Sequence, residues 1–423
     1  MTGAVQVAPI DAPFDLVVDV PGSKSLTNRA LLLAALADGT SEVQNVLRAD
    51  DADAMIGALR GLGVSIDVDG TTARVDGVGG RFDPPAGARV DARSSGTTAR
   101  FLLPVLAVAS SRPVVLDGSE QLRRRPMGDL VEAVRAIGGT IEGGPTLPVT
   151  VSPGARGRGV LHMPGNVTSQ FLSALMMAAP LRGGLTIESS TEIVGRTFVE
   201  MTAMAMWAFG GSAHVDPRRV VVEPGRYRSR GYFVEPDASA AAYFFAAAAI
   251  TGSKATVNGL APESLQGDIE FLGVLARMGA DVRWRADRLA VGVRGTGALH
   301  GVDQNFSRMP DQALTAAAIA PFADSPTRIR GVGFIRGHES DRIAAATTEL
   351  RRLGVTVDEH DDGWTIHPSA PTGGLVETYD DHRMAMAFAL VGLRVPGVEI
   401  ADASCVGKTF PGFWETLSRL RPG

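Results

Sequence analysis

Residues 25–37 read SLTNRALLLAALA, a small and polar start followed by a run of Ala and Leu. Segments of the same character recur as GTTARFLLPVLAVA from 96, TSQFLSALMMAAP from 168, ASAAAYFFAAAAI from 238, DQALTAAAIAPFA from 311 and DHRMAMAFALVGL from 381. Their starts are 70 to 73 residues apart, and this regularity indicates six copies of one folding unit. Because the segments are apolar nearly all round, we predict six buried helices.

A second, amphipathic segment follows most of these runs and ends at glycine before a strand-like alternation. The segments are MIGALRGLGVSIDV from 55, LVEAVRAIGGTIEG from 130, MTAMAMWAFGGSAHV from 201, IEFLGVLARMGADVRW from 269 and TTELRRLGVTVDE from 347. Glycine supplies a left-handed helix cap, and the alternation is typical of a half-exposed strand. Each unit is therefore predicted to be mixed α/β, and three units in each half predict two similar domains.

The domain boundary is predicted within GYFVEPD, residues 231–237, just before the fourth buried helix. The N-terminal strand precedes the first complete unit, so we expect it to complete the other half of the chain. The predicted domains are 22–236 and 1–21 plus 237–423. Two chain crossings would leave a cleft between them, a usual place for a ligand.

Net charge, apolar stretches and cysteine count exclude several classes of partner and site for this chain. A net charge of -5 and a pI near 5.9 argue against nucleic acid or an acidic membrane as a partner. The N-terminus lacks the basic and apolar regions of a signal peptide, and the apolar stretch 238–250 is too short to span a bilayer. One cysteine, Cys405, excludes an internal disulfide and a cysteine-rich zinc site. We expect a cytoplasmic protein without a membrane or nucleic-acid partner.

Lysine is rare in this chain. Among 41 basic side chains, three are lysines: Lys24, Lys254 and Lys408. Lys24 and Lys408 lie in the small, polar motifs PGSKSLTNR (21–29) and VGKTFPG (406–412). A compact ammonium with an adjustable pKa suits proton transfer and contact with phosphate, so both are candidate functional residues. Lys254, in a TGSKAT turn, is interpreted as an ordinary loop lysine.

The starts of the buried helices hold further candidates. Free N–H groups and a partial positive charge make a helix N-terminus an anion site. Ser, Thr and Asp also cap helices for structural reasons, but arginines at several starts favour a binding role. The residues are Ser25 and Arg29; Ser94, Ser95, Gly96, Thr97 and Arg100; Thr168, Ser169 and Gln170; Asp311; and Asp380, Asp381, His382 and Arg383.

Two charged segments add to this set. In EQLRRRPMGDL (120–130), Arg125 precedes proline, which holds it extended and makes it a candidate for the cleft. In IRGHESDR (335–342), Glu339 follows His338 and lies three residues before Arg342. The sequence therefore places an acid, a histidine and an arginine within one short segment.

Together these motifs resemble a known family. PGSKSLTNRA, SSGTTARF, RRRPMGDLVEAV, SQFLSALMMAAP, DQALTAAA, GHESDR, TYDDHRMAMAFAL and GKTFPGFWETL are similar to the motifs of the EPSP synthases, in the family's order, from about residue 20 to 417. The resemblance implies two α/β domains of three βαβαββ units each, an inside-out α/β barrel with the active site in the interdomain cleft. It also implies transfer of the enolpyruvyl group of phosphoenolpyruvate to the 5-hydroxyl of shikimate 3-phosphate. That reaction releases phosphate through a tetrahedral intermediate and belongs to the shikimate pathway of aromatic amino acid and chorismate biosynthesis.

The resemblance assigns roles to residues of this chain. For shikimate 3-phosphate it implies Lys24, Ser25, Arg29, Thr168, Ser169, Gln170, Arg196, Asp311 and His338. For phosphoenolpyruvate it implies Lys24, Gly96, Arg125, Gln170, Arg342, Arg383 and Lys408. For catalysis it implies Asp311 as the base that activates the 5-hydroxyl, with Glu339 and Lys24 as acids. The sequence leaves the division of proton transfer between those two acids open.

The chemistry predicts no metal and no organic cofactor, because phosphate is a competent leaving group and a cationic cleft stabilises its charge. The expected partners are the two small-molecule substrates, and a monomer is expected. Gly96 also predicts ordinary access for glyphosate, the family's inhibitor.

The chain departs from the family's commonest pattern at several positions. Gly195 and Phe198 stand where Ser and Tyr are usual, and His338 stands where Lys is usual. Binding of the shikimate phosphate is therefore expected to rely more on Arg196, with a pH dependence from His338 near neutrality.

Two alternatives remain. A sister transferase acts on UDP-N-acetylglucosamine and commonly uses a loop cysteine in its N-terminal half, whereas the cysteine here is Cys405. A catalytically silent anion-binding module could share the scaffold, but binding anions gains nothing from the carboxylates of Asp311 and Glu339. Phosphate release from the two substrates would distinguish the three hypotheses.

Overall fold

The computed structural model describes residues 3–421. The chain divides into two units. The N unit is Gly22–Val234, and the C unit combines the residues up to Pro21 with those from Glu235 onward.

Regular secondary structure occupies most of both units. Within residues 3–421 the α-helices are α1 (Lys24–Leu36), α2 (Asp50–Gly61), α3 (Gly96–Ala109), α4 (Glu120–Arg123), α5 (Gly128–Ala136), α6 (Ser169–Arg182), α7 (Arg196–Ala208), α8 (Ala238–Thr251), α9 (Phe271–Arg277), α10 (Ala313–Ile319), α11 (Arg342–Arg352), α12 (His382–Gly392) and α13 (Phe413–Ser418).

The strands of the same part of the chain are β1 (Val5–Val7), β2 (Asp15–Val18), β3 (Asp38–Gln44), β4 (Ser65–Asp69), β5 (Thr72–Val78), β6 (Arg89–Asp91), β7 (Val114–Asp117), β8 (Thr140–Gly143), β9 (Val149–Ser152), β10 (Val160–Met163), β11 (Leu185–Ser189), β12 (Ala213–Asp216), β13 (Arg219–Val222), β14 (Gly231–Phe233), β15 (Lys254–Asn258), β16 (Asp281–Trp284), β17 (Ala290–Arg294), β18 (Asp303–Asn305), β19 (Thr327–Arg330), β20 (Val357–His360), β21 (Gly363–Ile366), β22 (Gly374–Val376) and β23 (Val398–Ile400).

The predicted buried helices are confirmed. Helices α1, α3 and α6 lie in the N unit and α8, α10 and α12 in the C unit, and nearly every residue of each is buried. Each begins within two residues of its predicted start. Ala and Gly side chains let these helices approach one another and their sheets closely, so each unit has a dense helical core.

Helix α10 is shorter than its sequence had suggested. Tight 3-10 turns at Pro310–Gln312 and Ala320–Phe322 flank it. Pro310 and Pro321 have no backbone N–H, so regular α-helical hydrogen bonding does not continue through either position. Asp311 consequently lies in a tight turn ahead of the helix.

The amphipathic second helices are also confirmed, as α2, α5, α7, α9 and α11. Each ends just before a strand, β4, β8, β12, β16 or β20 respectively. Glycines with positive φ make the turn, for example Gly63 at 93° and Gly354 at 80°. That conformation is accessible to glycine at little cost, which explains the glycine at each helix end.

The N unit repeats one sheet topology. Sheets β6-β7-β9-β8 and β10-β11-β13-β12 each combine a parallel pair with antiparallel strands, in the order expected of a βαβαββ unit. In the third sheet, β14-β3-β5-β4, the first position is taken by β14 from the end of the unit, parallel to β3. The chain thus closes the N unit on itself.

The C unit uses the same arrangement with segments from the chain's start. Sheet β18-β19-β21-β20 is a complete copy. In sheet β16-β17-β15-β2, the N-terminal strand β2 pairs in parallel with β15, with Asp15 opposite Lys254. The remaining sheet, β1-β23-β22, has three strands and includes β1. The architecture is a mixed α/β fold of two units.

Within the part of the chain that the structure describes, no helix is both long and apolar enough to cross a membrane.

Candidate active site

Helix α1 begins at Lys24, whose side chain is 15% exposed. Its Nζ lies 3.6 Å from Oδ2 of Asp51, in the first turn of α2. Asp51 is 2% exposed, and the positive end of α2 favours its charge. The ammonium of Lys24 is therefore oriented by a buried carboxylate that the sequence analysis did not single out.

Arg29 lies one turn further along α1 and is 2% exposed. Its guanidinium donates to the hydroxyls of Thr202 at 2.7 Å and Ser173 at 3.1 Å, and to the carbonyl oxygens of Ser25 and Phe198. It also lies over the ring of Phe101. Burial lowers the pKa of Arg29 to about 9, and the nearby Tyr232 partly offsets that effect. Since protein acceptors take four of its N–H groups, substrate binding by Arg29 requires an exchange of partners and stays a prediction.

The start of α3 brings two further cations together. A Cβ atom on Gly96 would lie 2.6 Å from Nη1 of Arg125 and 3.5 Å from Nη1 of Arg100. Arg125 is 8% exposed and Arg100 3%. Gly96 therefore makes room for a buried guanidinium, a close approach that any other residue would hinder.

The first turns of α3 and α6 are joined by a side-chain hydrogen bond. Nη1 of Arg100 donates to Oε1 of Gln170 at 2.7 Å. The Thr168 hydroxyl caps α6 by accepting from the backbone N–H of Gln170 at 3.3 Å. Ser169 is 9% exposed and follows it. Thr168, Ser169 and Gln170 thus lie beside Arg100 at one set of helix starts.

The start of α7 adjoins the start of α6. Gly195 has a φ of 56°, and a Cβ there would lie 3.2 Å from the Ser169 hydroxyl. The next residue, Arg196, begins α7 and pairs with Glu200 at 2.9 Å, with its side chain 34% exposed. Arg196 is therefore close to Ser169 in the chain's fold and accessible to solvent.

In the C unit, Asp311 is held by two arginines. Oδ1 accepts from Nη1 of Arg342 at 3.1 Å, and Oδ2 accepts from Nη2 of Arg383 at 2.7 Å. Asp311 is 15% exposed, whereas the two guanidinium groups are nearly buried. Burial alone would lower the pKa of Arg383, but the neighbouring acidic groups, Asp311 foremost, together outweigh burial and raise that pKa.

Arg342 is the centre of the C-unit cluster. It donates to Asp381 at 2.8 Å, to Glu339 at 3.0 Å and to Nδ1 of His338 at 3.1 Å. Burial would lower the pKa of Arg342, but the charges of Asp381, Glu339 and Asp311 raise it, so the guanidinium stays protonated. Because a guanidinium only donates, Nδ1 of His338 accepts and the ring is neutral in this arrangement.

Glu339 joins Arg342 to Lys408. Nζ of Lys408 lies 3.1 Å from Oε1 of Glu339, and the two side chains are 11% and 10% exposed. Glu339 therefore lies within hydrogen-bonding distance of two cations, one on α11 and one near the end of the chain.

A further carboxylate, Asp268, lies behind Asp311 and was missed from the sequence. It is 4% exposed, and Oδ1 accepts from Nε2 of Gln312 at 2.9 Å. Burial and then the charge of Asp311 raise the pKa of Asp268 to about 7, against the opposing effects of Arg383 and Gln312. The segment QGD that carries Asp268 follows no motif, so no signal in the sequence could have found it.

Each unit thus gathers its own predicted residues. The N unit places its residues at or beside the starts of α1, α3, α6 and α7: Lys24, Ser25, Arg29, Gly96, Arg125, Thr168, Ser169, Gln170 and Arg196. The C unit joins Asp311, His338, Glu339, Arg342, Arg383 and Lys408 in one hydrogen-bonded cluster. Two carboxylates that no sequence motif marks adjoin these groups: Asp51 lies beside Lys24, and Asp268 accepts from Gln312, the neighbour of Asp311.

A family model, curated relatives and a solved structure all match this chain, and all belong to the same enzyme family. The chain matches the family model described as EPSP synthase (3-phosphoshikimate 1-carboxyvinyltransferase) over residues 11–417. It is 43% identical over 413 residues to the 3-phosphoshikimate 1-carboxyvinyltransferase of Serratia proteamaculans, which covers 95% of each chain. It is 42% identical over 415 residues to that of Methanosphaerula palustris, covering 96% of this chain and 97% of the relative. The EPSP synthase structure from Acinetobacter baumannii matches with a TM-score of 0.81 at 26% identity, covering 99% of this chain and 98% of that chain.

Proposed function

The chain belongs to the EPSP synthase family and transfers the enolpyruvyl group of phosphoenolpyruvate to the 5-hydroxyl of shikimate 3-phosphate, and we propose how its own residues divide that work. Its activity is that of a 3-phosphoshikimate 1-carboxyvinyltransferase. The substrates carry two carboxylates and two phosphates. Binding them requires cations and N–H donors, and the reaction also requires groups that move protons.

The helix starts of the N unit bind shikimate 3-phosphate in this proposal. The hydroxyls of Thr168 and Ser169 and the cation of Arg196 hold its phosphate, and Ser25 and Arg29 hold its carboxylate. Gln170 lies against the ring. Support comes from the convergence of the starts of α6 and α7 at Ser169, because backbone N–H groups at helix N-termini favour phosphate oxygens.

Phosphoenolpyruvate engages cations of both units. Arg125 and Lys408 bind its phosphate, and Arg342, Arg383 and Lys24 bind its carboxylate. Charge-assisted hydrogen bonds of this kind contribute roughly 1.5 to 3 kcal/mol each. Gly96 supports the role of Arg125, because it lets that guanidinium lie close to the first turn of α3.

Proton transfer belongs chiefly to the carboxylates of the C unit. Arg342 and Arg383 share their charge with Asp311, which weakens Asp311 as a base. A substrate carboxylate that binds the same arginines takes up part of their positive charge. The affinity of Asp311 for a proton then rises when the substrate is in place, which suits a base for the 5-hydroxyl.

The reaction proceeds by addition and then elimination. Asp311 accepts the proton of the 5-hydroxyl while that oxygen bonds to C2 of phosphoenolpyruvate, and Glu339 or Lys24 delivers a proton to the methylene carbon. In the second step the C2–O bond to phosphate breaks, the methyl group returns a proton, and phosphate leaves. Each placed proton-transfer group typically contributes about 100- to 10,000-fold to the rate.

The observation that carries this proposal is the clamping of Asp311 by two buried arginines beside Glu339 and Lys408. Its test is phosphate release when the purified protein is mixed with shikimate 3-phosphate and phosphoenolpyruvate, with the second product identified by phosphorus NMR. UDP-N-acetylglucosamine in place of shikimate 3-phosphate is the matched control.

Turnover with shikimate 3-phosphate and phosphoenolpyruvate, but not with the nucleotide sugar and phosphoenolpyruvate, supports the assignment. Turnover with the nucleotide sugar would support the sister transferase, and no turnover with either would support a silent anion-binding module. A monomeric, cytoplasmic enzyme stays a prediction, which light scattering and cell fractionation would test.

A further inference from the structure

A cavity of about 730 Å³ lies in the N unit, at the C-terminal ends of α3 and α6. The ends of both helices line it, together with residues after β5 and the loop from Pro153 to Gly157. The residues proposed for substrate binding lie at the N-terminal ends of the same helices. Each helix has 14 residues, so the two ends are about 20 Å apart. The cavity is therefore distinct from the candidate active site.

The lining of this cavity has charges of one sign. Arg81, Arg156 and Arg182 line it, and no Asp or Glu is among the described lining residues, although the exposed Asp83 accepts a hydrogen bond from Ser111 of the lining. The whole chain has a net charge of -5, so this local excess of positive charge runs against its average. One-signed charge within a concave surface concentrates the potential there and attracts counter-ions.

Arg182 is the buried member of the set. It is 6% exposed, and its guanidinium donates to the carbonyl oxygens of Gly184 at 3.2 Å, Ile137 at 3.2 Å and Arg156 at 3.4 Å. Its Nε has no hydrogen-bond partner, and no ion pair of Arg182 occurs within residues 3–421. Burial lowers the pKa of Arg182. A buried cation without a counter-ion is costly and unusual in proteins.

Arg81 and Arg156 are exposed at the cavity, and within residues 3–421 their side chains form no hydrogen bond or ion pair. Nearby arginines outside the lining behave differently. Arg158 pairs with Glu223 at 3.4 Å, and Arg112 lies 4.0 Å from Asp83. Two arginines beside the lining thus have a carboxylate partner, whereas the three that line the cavity have none among the described residues.

The two helix ends at the cavity would by themselves repel an anion. The C-terminal ends of α3 and α6 each carry about half a negative charge, which opposes an anion. Three full positive charges outweigh these two half charges. Arg182 also caps backbone carbonyls near the end of α6, which reduces the opposition further.

We propose that this cavity binds a small anion bearing phosphate or carboxylate groups, with Arg182 as the buried anchor and Arg81 and Arg156 as the outer contacts. The site requires none of the residues proposed for the reaction. An occupant would contact the far ends of the two helices whose first turns carry Gly96 and Ser169.

The test is isothermal titration of the full chain with two probes, inorganic pyrophosphate and citrate, at low ionic strength. The cavity variant is Arg81→Gln/Arg156→Gln, which changes two exposed side chains and is expected to fold normally. The matched control is Arg218→Gln/Arg219→Gln, two exposed arginines outside the cavity lining. Turnover within twofold of the wild type in both variants shows that the fold is retained.

The readout is the difference between the two variants, because the candidate active site also gathers cations and contributes equally to both. At least about tenfold weaker binding in the cavity variant, with the control unchanged, is expected from the loss of two charge-assisted contacts. Loss for pyrophosphate alone identifies a phosphate ligand, and loss for citrate alone identifies a carboxylate ligand. Equal affinity of both variants for both probes, or no binding by the wild type, would overturn the proposal.

Discussion

The two units handle charge in opposite ways. In the N unit, Arg29 and Arg100 donate to hydroxyl, carbonyl and amide oxygens, and Arg125 lies over Gly96. In the C unit, Arg342 donates to three carboxylates, those of Asp311, Glu339 and Asp381, and Arg383 donates to that of Asp311. In our proposal, arginines on neutral acceptors keep their charge available for substrate anions, whereas the carboxylate of Asp311 becomes a better base once a substrate carboxylate binds its arginines. The N unit is therefore suited to binding, and the C unit to proton transfer.

The largest effect is expected at the clamped carboxylate. Asp311→Asn removes the base but keeps the size of the side chain, so kcat should fall at least about 100-fold with little change in either KM. Steady-state phosphate release measures both constants. Asp303→Asn, an exposed carboxylate of the same unit paired with Arg330 at 2.8 Å, is the control and should be unaffected. A change confined to KM would assign Asp311 to substrate binding. The proposed contrast between a binding N unit and a proton-transferring C unit would then fail.

Lys24, like Arg196, departs from the pattern of the N unit, since its ammonium lies beside the buried carboxylate of Asp51. Lys24→Arg keeps the charge and the attraction to Asp51 but replaces the compact ammonium, so kcat should fall at least about tenfold. Lys254→Arg is the control, because the Lys254 side chain is 36% exposed and pairs with Asp15 at 3.1 Å, among none of the proposed site residues. Full activity in Lys24→Arg would show that charge alone is required there.

Gly96→Ala tests the arrangement of cations at α3. The added Cβ would lie 2.6 Å from Nη1 of Arg125 and displace that guanidinium. We expect the KM for phosphoenolpyruvate to rise about fivefold to tenfold, with the KM for shikimate 3-phosphate nearly unchanged. Gly57→Ala is the control, because no atom lies within 4 Å of a Cβ there. An equal rise in both KM values would indicate a general distortion of the helix start.

The smallest effect on activity, with a clear signature in stability, is expected from Asp268→Asn. The pKa of Asp268 is about 7 in the folded protein, above its ordinary 3.8, so the folded state binds this proton more tightly than the unfolded state. Its contribution to the free energy of unfolding therefore falls as pH rises from about 4 to about 7. Asp268→Asn should raise stability at pH 8 by about 1 to 3 kcal/mol and by less at pH 5.

Thermal unfolding of the wild type and Asp268→Asn at both pH values checks this prediction. Asparagine keeps the acceptor for Gln312, so the packing is preserved. The same difference at pH 5 and pH 8 would show that the carboxyl of Asp268 does not change its ionisation in that range.

Much of the candidate site could be predicted because its residues lie at helix starts. Ser25, Gly96, Ser169 and Asp311 each begin or precede a buried helix, and the 70- to 73-residue spacing locates those helices. Asp51 and Asp268 could not be found this way. Their partners Lys24 and Gln312 are 27 and 44 residues distant in sequence, and no local pattern encodes contacts of that range.

The sequence by itself determined the six buried helices, their amphipathic partners and the α/β class. Burial leaves a local pattern of apolar residues in each segment, and that pattern can be recognised without knowing which segments pack against it. The tertiary structure alone decided which acceptor each arginine has. Nothing in the sequence distinguishes the acceptors of Arg29 from those of Arg342. In the structure Arg29 donates to a hydroxyl of Thr202, whereas Arg342 donates to the carboxylate of Asp381. That difference depends on contacts between segments distant in the chain, and it sets both the charge and the chemistry of each unit.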